Sequence, residues 1–207
     1  MLEKSPSLEL LTNSLALRSK LTEEEMDIIA GLPHRIERYE AGSYLIREGT
    51  KPETCPVMLS GFAFRQKLTV FGTRQILSIM IPGDLVDLQN LFISEADHNV
   101  QTLTPAVVAH IRQSTLEKLI LDYPPIARGL WILALVEASI HREWIVNIGR
   151  RDARTRIAHF LCEFCARLNI AGVTDDHSFE LPMTQEHLAD CTGLTPVHVN
   201  RVLKTLS

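Results

Sequence analysis

The sequence predicts an α+β chain: an N-terminal β-roll or jelly-roll barrel, one long helix, and a C-terminal helix-turn-helix. Three observations predict it. Between residues 34 and 112, short alternating apolar runs are punctuated by Gly42, Gly49, Gly61, Gly72 and Pro82-Gly83, as in antiparallel barrels. From Pro124 to about Asn147 the pattern is helical and uninterrupted by Gly-Pro punctuation except at Gly129. From Gln185 to Lys204, QEHLADCTGLTPVHVNRVLK reads as a helix, a tight turn and a second helix. The expected division is 1–123 for N-terminal helices and barrel, 124–149 for the long helix and hinge, and 150–207 for the helix-turn-helix domain.

The N-terminal region, residues 8–32, is expected to be helical. Leu8, Leu11 and Leu15 recur at helical spacing, and Thr22 caps the run EEEMDIIAGL before Pro33. The barrel strands are HRIERYE, SYLIREG, PVMLSGFAFRQKLTV, RQILSIMI, HNVQTLT and AVVAHIR. Helical patterning returns at Ser114–Asp122.

In the long run, Ile126, Leu130, Leu133, Ile140, Trp144 and Ile148 fall close to a heptad seam interrupted by Glu137. This seam is the expected homodimer interface. A helix of about 24 residues spans about 36 Å, more than one small domain needs. A second apolar face, Trp131, Leu135 and Ala138, leaves surface for both a barrel contact and a coiled coil. Gly149 is expected to break the helix. Arg150, Arg151, Arg154 and Arg156 then surround Asp152, suited to inter-domain ion pairs or to phosphate. RIAHFLCEFCARL continues as an amphipathic helix, and SFELP is a candidate short strand of a wing.

The terminal segment carries the chemistry. Ala189 lets two helices approach, and Gly193 can take φ > 0 in the turn. Thr195 is a good N-cap, followed by Pro196 at the first helical position. Val199, Val202 and Leu203 face inward. Val197, His198, Asn200, Arg201 and Lys204 face outward, where Arg and Asn can bond guanine and adenine bidentately. The expected base-reading residues are Arg201, Asn200, His198 and Val197. Expected phosphate contacts are Thr184, Gln185, Thr195 and Lys204. A two-fold dimer would present two such helices to a pseudo-palindromic site in double-stranded DNA, with half-sites roughly 34 Å apart.

Composition is ordinary for a soluble protein, with 45% hydrophobic and 22% charged residues. The net charge of −4 argues mildly against nucleic acid, but residues 150–207 hold seven basic and seven acidic residues and are neutral. No apolar run approaches the roughly 18–20 residues of a membrane span. The N-terminus has no signal-peptide arrangement, so a cytoplasmic protein with reduced cysteines at 55, 162, 165 and 191 is expected. Cys162 and Cys165 are read as small buried hydrophobes, and Cys191 as packing beside the turn. An enzyme on a cupin-like barrel would need clustered His and carboxylate ligands; His34, His98 and His110 are widely separated, and no phosphate loop or nucleophile elbow occurs. No enzymatic activity and no metal site are expected.

With barrel, long helix, hinge and helix-turn-helix in this order, the chain resembles the CRP/FNR superfamily of bacterial transcription regulators. The resemblance runs from about Leu21 to Leu206. It rests on Ala41-Gly42-Ser43-Tyr44, Glu48-Gly49, Gly61, IPGDL at 81–85, GRRDARTRIAHFLCEF, and LPMTQEHLADCTGLTPVHVNRVLK. It implies a sensor barrel coupled through a dimerisation helix to DNA-reading helices, with RNA polymerase as a possible partner.

The resemblance also marks departures. Cyclic-nucleotide-binding members use a Gly-Glu pair for the ribose and an Arg for the phosphate. Here those positions hold Asp87-Leu88, and no Arg stands around Ala96-Asp97-His98. The expected effector pocket comprises Asp87, Leu88, His98 and Asn99, and cAMP is disfavoured by its acidic character. No Cys precedes Cys55, which disfavours an N-terminal iron–sulfur cluster. His34, His98, His110, His141 and His159 are haem-ligand candidates by residue type only, so the cofactor is unknown. Val197 replaces the family's early acidic residue, whereas Arg201 matches its reading Arg. The chain stops at Ser207, where the family continues into a wing. A ligand-binding or dimerising module whose DNA binding is impaired by the missing wing, or a haem- or redox-sensing member of the same family, is therefore an alternative expectation.

Overall fold

The computed structural model describes residues 7–174 and 178–206. Two short helices come first, α1 (Glu9–Ala16) and α2 (Glu23–Ala30). Thr22 starts α2 with a reciprocal capping box. Its hydroxyl accepts from the Glu25 N–H at 3.2 Å, and the Glu25 carboxylate accepts from the Thr22 N–H at 2.8 Å.

Seven strands follow: β1 (His34–Tyr39), β2 (Tyr44–Ile46), β3 (Thr54–Ser60), β4 (Ala63–Leu68), β5 (Arg74–Met80), β6 (Asn99–Thr102) and β7 (Ala106–Arg112). They form two antiparallel sheets, ordered β1-β7-β3 and β2-β6-β4-β5. Side-chain alternation explains the layering. Met58, Ala106 and Val108 point between the sheets, with Ala63, Met80, Val86 and Val100. Cys55, Val57, Ala109 and Ile111 point the other way and meet Leu8, Leu11, Leu15 and Ile29 from the N-terminal helices. β3 and β7 are thus covered on both faces and read as near-continuous apolar runs, whereas the edge strand β1, HRIERY, stays polar and partly exposed.

The β3–β4 turn has no room for a side chain. Gly61 has φ +77°, and a Cβ there would lie 2.3 Å from the Pro105 carbonyl oxygen and 2.8 Å from Ala106 Cα. Gly61→Ala is expected to lower unfolding stability by more than about 1 kcal/mol. A urea midpoint that stays at the wild-type value would contradict this packing.

After α3 (Gln113–Asp122) the chain turns into α4 (Pro124–Arg150), 27 residues long. Two prolines open α4, where their missing N–H groups cost nothing. The expected dimer seam is corrected by burial. Ile126, Leu130 and Trp144 are only 0%, 2% and 6% exposed within one chain. Leu133 and Ile140 are half-buried against the same cores, and Ile148 is half-buried. That seam holds α4 to its own protomer. The opposite face, Trp131, Leu135 and Ile145, is 57%, 64% and 70% exposed.

Gly149 does not break the helix. α4 continues through it to Arg150, and the break falls at Arg151, which is extended. Asp152 then caps α5 (Ala153–Ile170), its carboxylate accepting from the Thr155 N–H at 2.8 Å. The last turn of α4 is held by Asn147, whose Nδ2 donates to the Arg156 carbonyl at 3.1 Å, and by an Arg151–Glu143 pair at 2.8 Å. These contacts outweigh the poor helix propensity of one glycine, about 1 kcal/mol.

Two further expectations are corrected on and after α5. Cys162 is exposed and Cys165 half-buried, so neither is a core residue. Residues 178–182 are irregular and form no strand, while 175–177 of the same loop lie outside the described residues. Among the described residues, no single helix is long and apolar enough to cross a membrane.

Candidate nucleic-acid interface

The final two helices are α6 (Gln185–Thr192) and α7 (Pro196–Leu206). Thr184 caps α6, accepting from the His187 N–H at 3.2 Å. Gly193 ends α6 in the left-handed region at φ +64°, and the Leu194 N–H reaches back to the Ala189 carbonyl at 3.1 Å. Thr195 caps α7, accepting from the His198 N–H at 3.3 Å. Leu188, Ala189, Val199 and Val202 are buried where the helices cross. Apolar contact therefore fixes how α7 projects, with little freedom to pivot.

The outer face of α7 is open. Val197 is 71% exposed. His198, Arg201 and Lys204 are exposed and Asn200 is half-exposed. Thr184, Gln185 and Thr195 are exposed at the N-terminal ends of the two helices, where backbone N–H groups and the helix dipole favour a phosphate. All eight sequence-predicted DNA residues thus lie on α7 or at these two helix starts. Burial, and then the Arg74 guanidinium, lowers the His187 imidazole below its ordinary value. Burial pushes the Cys191 thiol well above the ordinary range, so Cys191 is an inert packing residue.

The domain is fastened to the barrel through one continuous apolar cluster. Phe64, Ile76, Ile79 and Ile81 from the barrel pack with Trp144, Phe160, Phe164, Leu188 and Val199. Arg74 on β5 pairs with Asp190 on α6 at 2.6 Å, and Gln75 donates to the Asp190 carbonyl at 2.6 Å. Arg167 on α5 pairs with Asp84 at 2.6 Å. Sequence reasoning missed these partners. The hinge arginines divide. Arg156 bonds the Arg151 carbonyl at 2.8 Å and the Thr192 carbonyl at 3.1 Å, tying α5 to the end of α6. Arg150 and Arg154 are exposed.

In the barrel, the structure brings together only part of the expected effector pocket, and it corrects the charge argument. A cation is present. Arg65 on β4 is buried, and its guanidinium donates to Asp87 at 2.6 Å and to Glu137 of α4 at 2.5 Å. His98 is buried, with its two ring nitrogens 2.9 Å from Asp87 and 2.6 Å from Asp97. Burial alone would raise the Asp87 carboxyl; the His98 hydrogen bond and the Arg65 charge outweigh it and hold the group below its usual range. Leu88 lines an apolar cavity of about 370 Å³ with Arg65, Trp131 and Glu137. Asn99 does not line it; its side chain instead accepts from the Glu48 N–H at 3.1 Å. Among the described residues, no three His, Cys, Asp or Glu side chains are grouped to hold a metal.

A helix-turn-helix with an open polar reading face, fastened to an antiparallel barrel by a long helix, defines a DNA-binding transcription regulator. Comparison with known proteins agrees. Residues 36–123 match the cyclic nucleotide-binding domain family, and residues 155–207 match the Crp-like helix-turn-helix domain family. The transcriptional activator FnrL of Cereibacter sphaeroides is 28% identical over 171 residues, covering 81% of this chain and 68% of that protein. The transcriptional activator Anr of Pseudomonas protegens is 26% identical over 188 residues, 91% of this chain and 77% of Anr. The solved structure of FixK2 from Bradyrhizobium japonicum superposes with a TM-score of 0.77 at 26% identity, covering 84% of this chain and 85% of FixK2. The chain belongs to the CRP/FNR superfamily of transcription regulators.

Proposed function

We propose that the protein works as a homodimer that reads a pseudo-palindromic DNA site. Arg201, Asn200, His198 and Val197 read bases, while Thr184, Gln185, Thr195 and Lys204 hold phosphates. The observation that carries this reading is α7 itself: a helix anchored by buried Val199 and Val202, with its Arg, Asn and His side turned to solvent. Pairing through Trp131, Leu135 and Ile145 would cover the exposed apolar face of α4 and set two copies of α7 about one DNA turn apart. The names of FnrL and Anr support activation rather than repression, and we infer from an activating role that RNA polymerase is a partner. We infer a cytoplasmic location from the DNA-reading role, and no enzymatic activity from the regulator relatives.

Selection from a random duplex pool tests the reading. An inverted repeat is expected, and binding to it should weaken steeply with salt as phosphate-bound cations compete. Recovery of no common sequence by folded protein would sink the proposal.

A further inference from the structure

We infer that Arg65 is a built-in ligand for the barrel, a positioning residue that locks the long helix in its DNA-reading arrangement without a diffusible effector. Three parts of the fold converge on its guanidinium. Nε and Nη2 donate to Asp87 Oδ1 at 3.1 and 2.6 Å, Nη1 donates to Glu137 Oε1 at 2.5 Å, and Ser78 Oγ lies 3.5 Å away. Arg65 comes from a barrel strand, Asp87 from the loop before a short 3-10 turn at Leu88–Leu91, and Glu137 from the middle of α4. The pair with Glu137 is therefore a direct charged tie between barrel and long helix.

The tie is specific in two respects. Asp87 is the one non-glycine among the described residues with a positive φ, +55°. An L-residue is strained there, so the backbone is held in place by the surrounding contacts. Its carboxylate is fully engaged by Arg65 and His98. Secondly, a buried guanidinium needs its counter-ions. An anion entering the adjoining cavity would have to compete with Asp87 and Glu137 for the Arg65 guanidinium. The site is occupied by the chain's own charges.

The tie also leads toward DNA. From Glu137, α4 runs to Asn147, which bonds the Arg156 carbonyl; Arg156 in turn bonds the Thr192 carbonyl at the end of α6. In this arrangement Thr184, Gln185, Thr195 and Arg201 all face solvent, so the reading surface is already open.

The inference rests on the DNA-reading role, so its test has two arms. Full-length Glu137→Leu and Arg65→Ala are titrated against the selected duplex. Glu137 is partly exposed and its replacement leaves Arg65 paired with Asp87, so this variant should keep the wild-type circular dichroism. Wild type should bind without additive and be indifferent to cAMP. Each variant should bind about 5–150-fold more weakly. Millimolar methylguanidinium should restore binding to Arg65→Ala and leave Glu137→Leu unchanged, which a merely structural loss would not do. Folded Glu137→Leu with wild-type affinity, or wild type that needs cAMP, would overturn the inference. If Arg65→Ala does not fold, Glu137→Leu decides alone.

The second arm needs no DNA. The chain's two tryptophans, Trp131 and Trp144, both lie on α4 and bracket Glu137. If wild type selects no duplex, the DNA-reading role fails, and their emission then judges the tie by itself. A shifted spectrum in Glu137→Leu supports it; an unchanged spectrum overturns it.

Discussion

Leu135→Asp combined with Ile145→Asp is expected to turn the protein into a folded monomer that binds its DNA site at least about 100-fold more weakly. Both side chains are mostly exposed in one protomer, so each charge remains hydrated in the monomer. In a paired α4 the same charges would be buried against a second copy, with no compensating partner. Weakening follows because two linked half-site contacts gain roughly 100-fold or more over one. Ile126→Asp, on the face that the heptad pattern alone predicts as the seam, should behave differently. Ile126 is fully buried against α1 and α3, and a charge there should unfold the protomer. Sedimentation with circular dichroism separates the cases. A double variant that stays dimeric would show that α4 pairs through another surface, or does not pair.

Arg201→Ala is expected to cost about 1–3 kcal/mol of specific binding and to relax the preference at one base position. Arg201 is exposed on α7, and the helix is held by Val199 and Val202, so stability should change little. Selection profiles for wild type and variant measure this. Equal weakening on every sequence, with a salt dependence shallower by about one, would make Arg201 a phosphate contact.

The helix-turn-helix was legible because its signals are local. Thr184, Gly193, Thr195 and Pro196 set ends and turns by their own chemistry, and three-to-four-residue spacing sorts Val199 and Val202 from Val197 and Arg201. The barrel strands were legible from alternation and glycine turns. The face that α4 gives to its own chain was not. Both of its sides are apolar, and only the position of the N-terminal helices decides that Ile126 and Leu130 turn inward. Gly149 misled because the Asn147–Arg156 bond that steadies the last turn joins two different helices. Arg65 was invisible for a similar reason: its partners lie 22 and 72 residues away. One trace of the site was present in the sequence, an acid at position 137 interrupting an apolar helix.

In the proposed assembly two copies of this chain, paired along the outer face of α4, read one two-fold DNA site. Sedimentation equilibrium of the protein on its selected duplex tests it most directly. Two chains per duplex are predicted, with binding lost when the half-sites are moved apart by half a helical turn. One chain per duplex, indifferent to that spacing, would contradict pairing through α4.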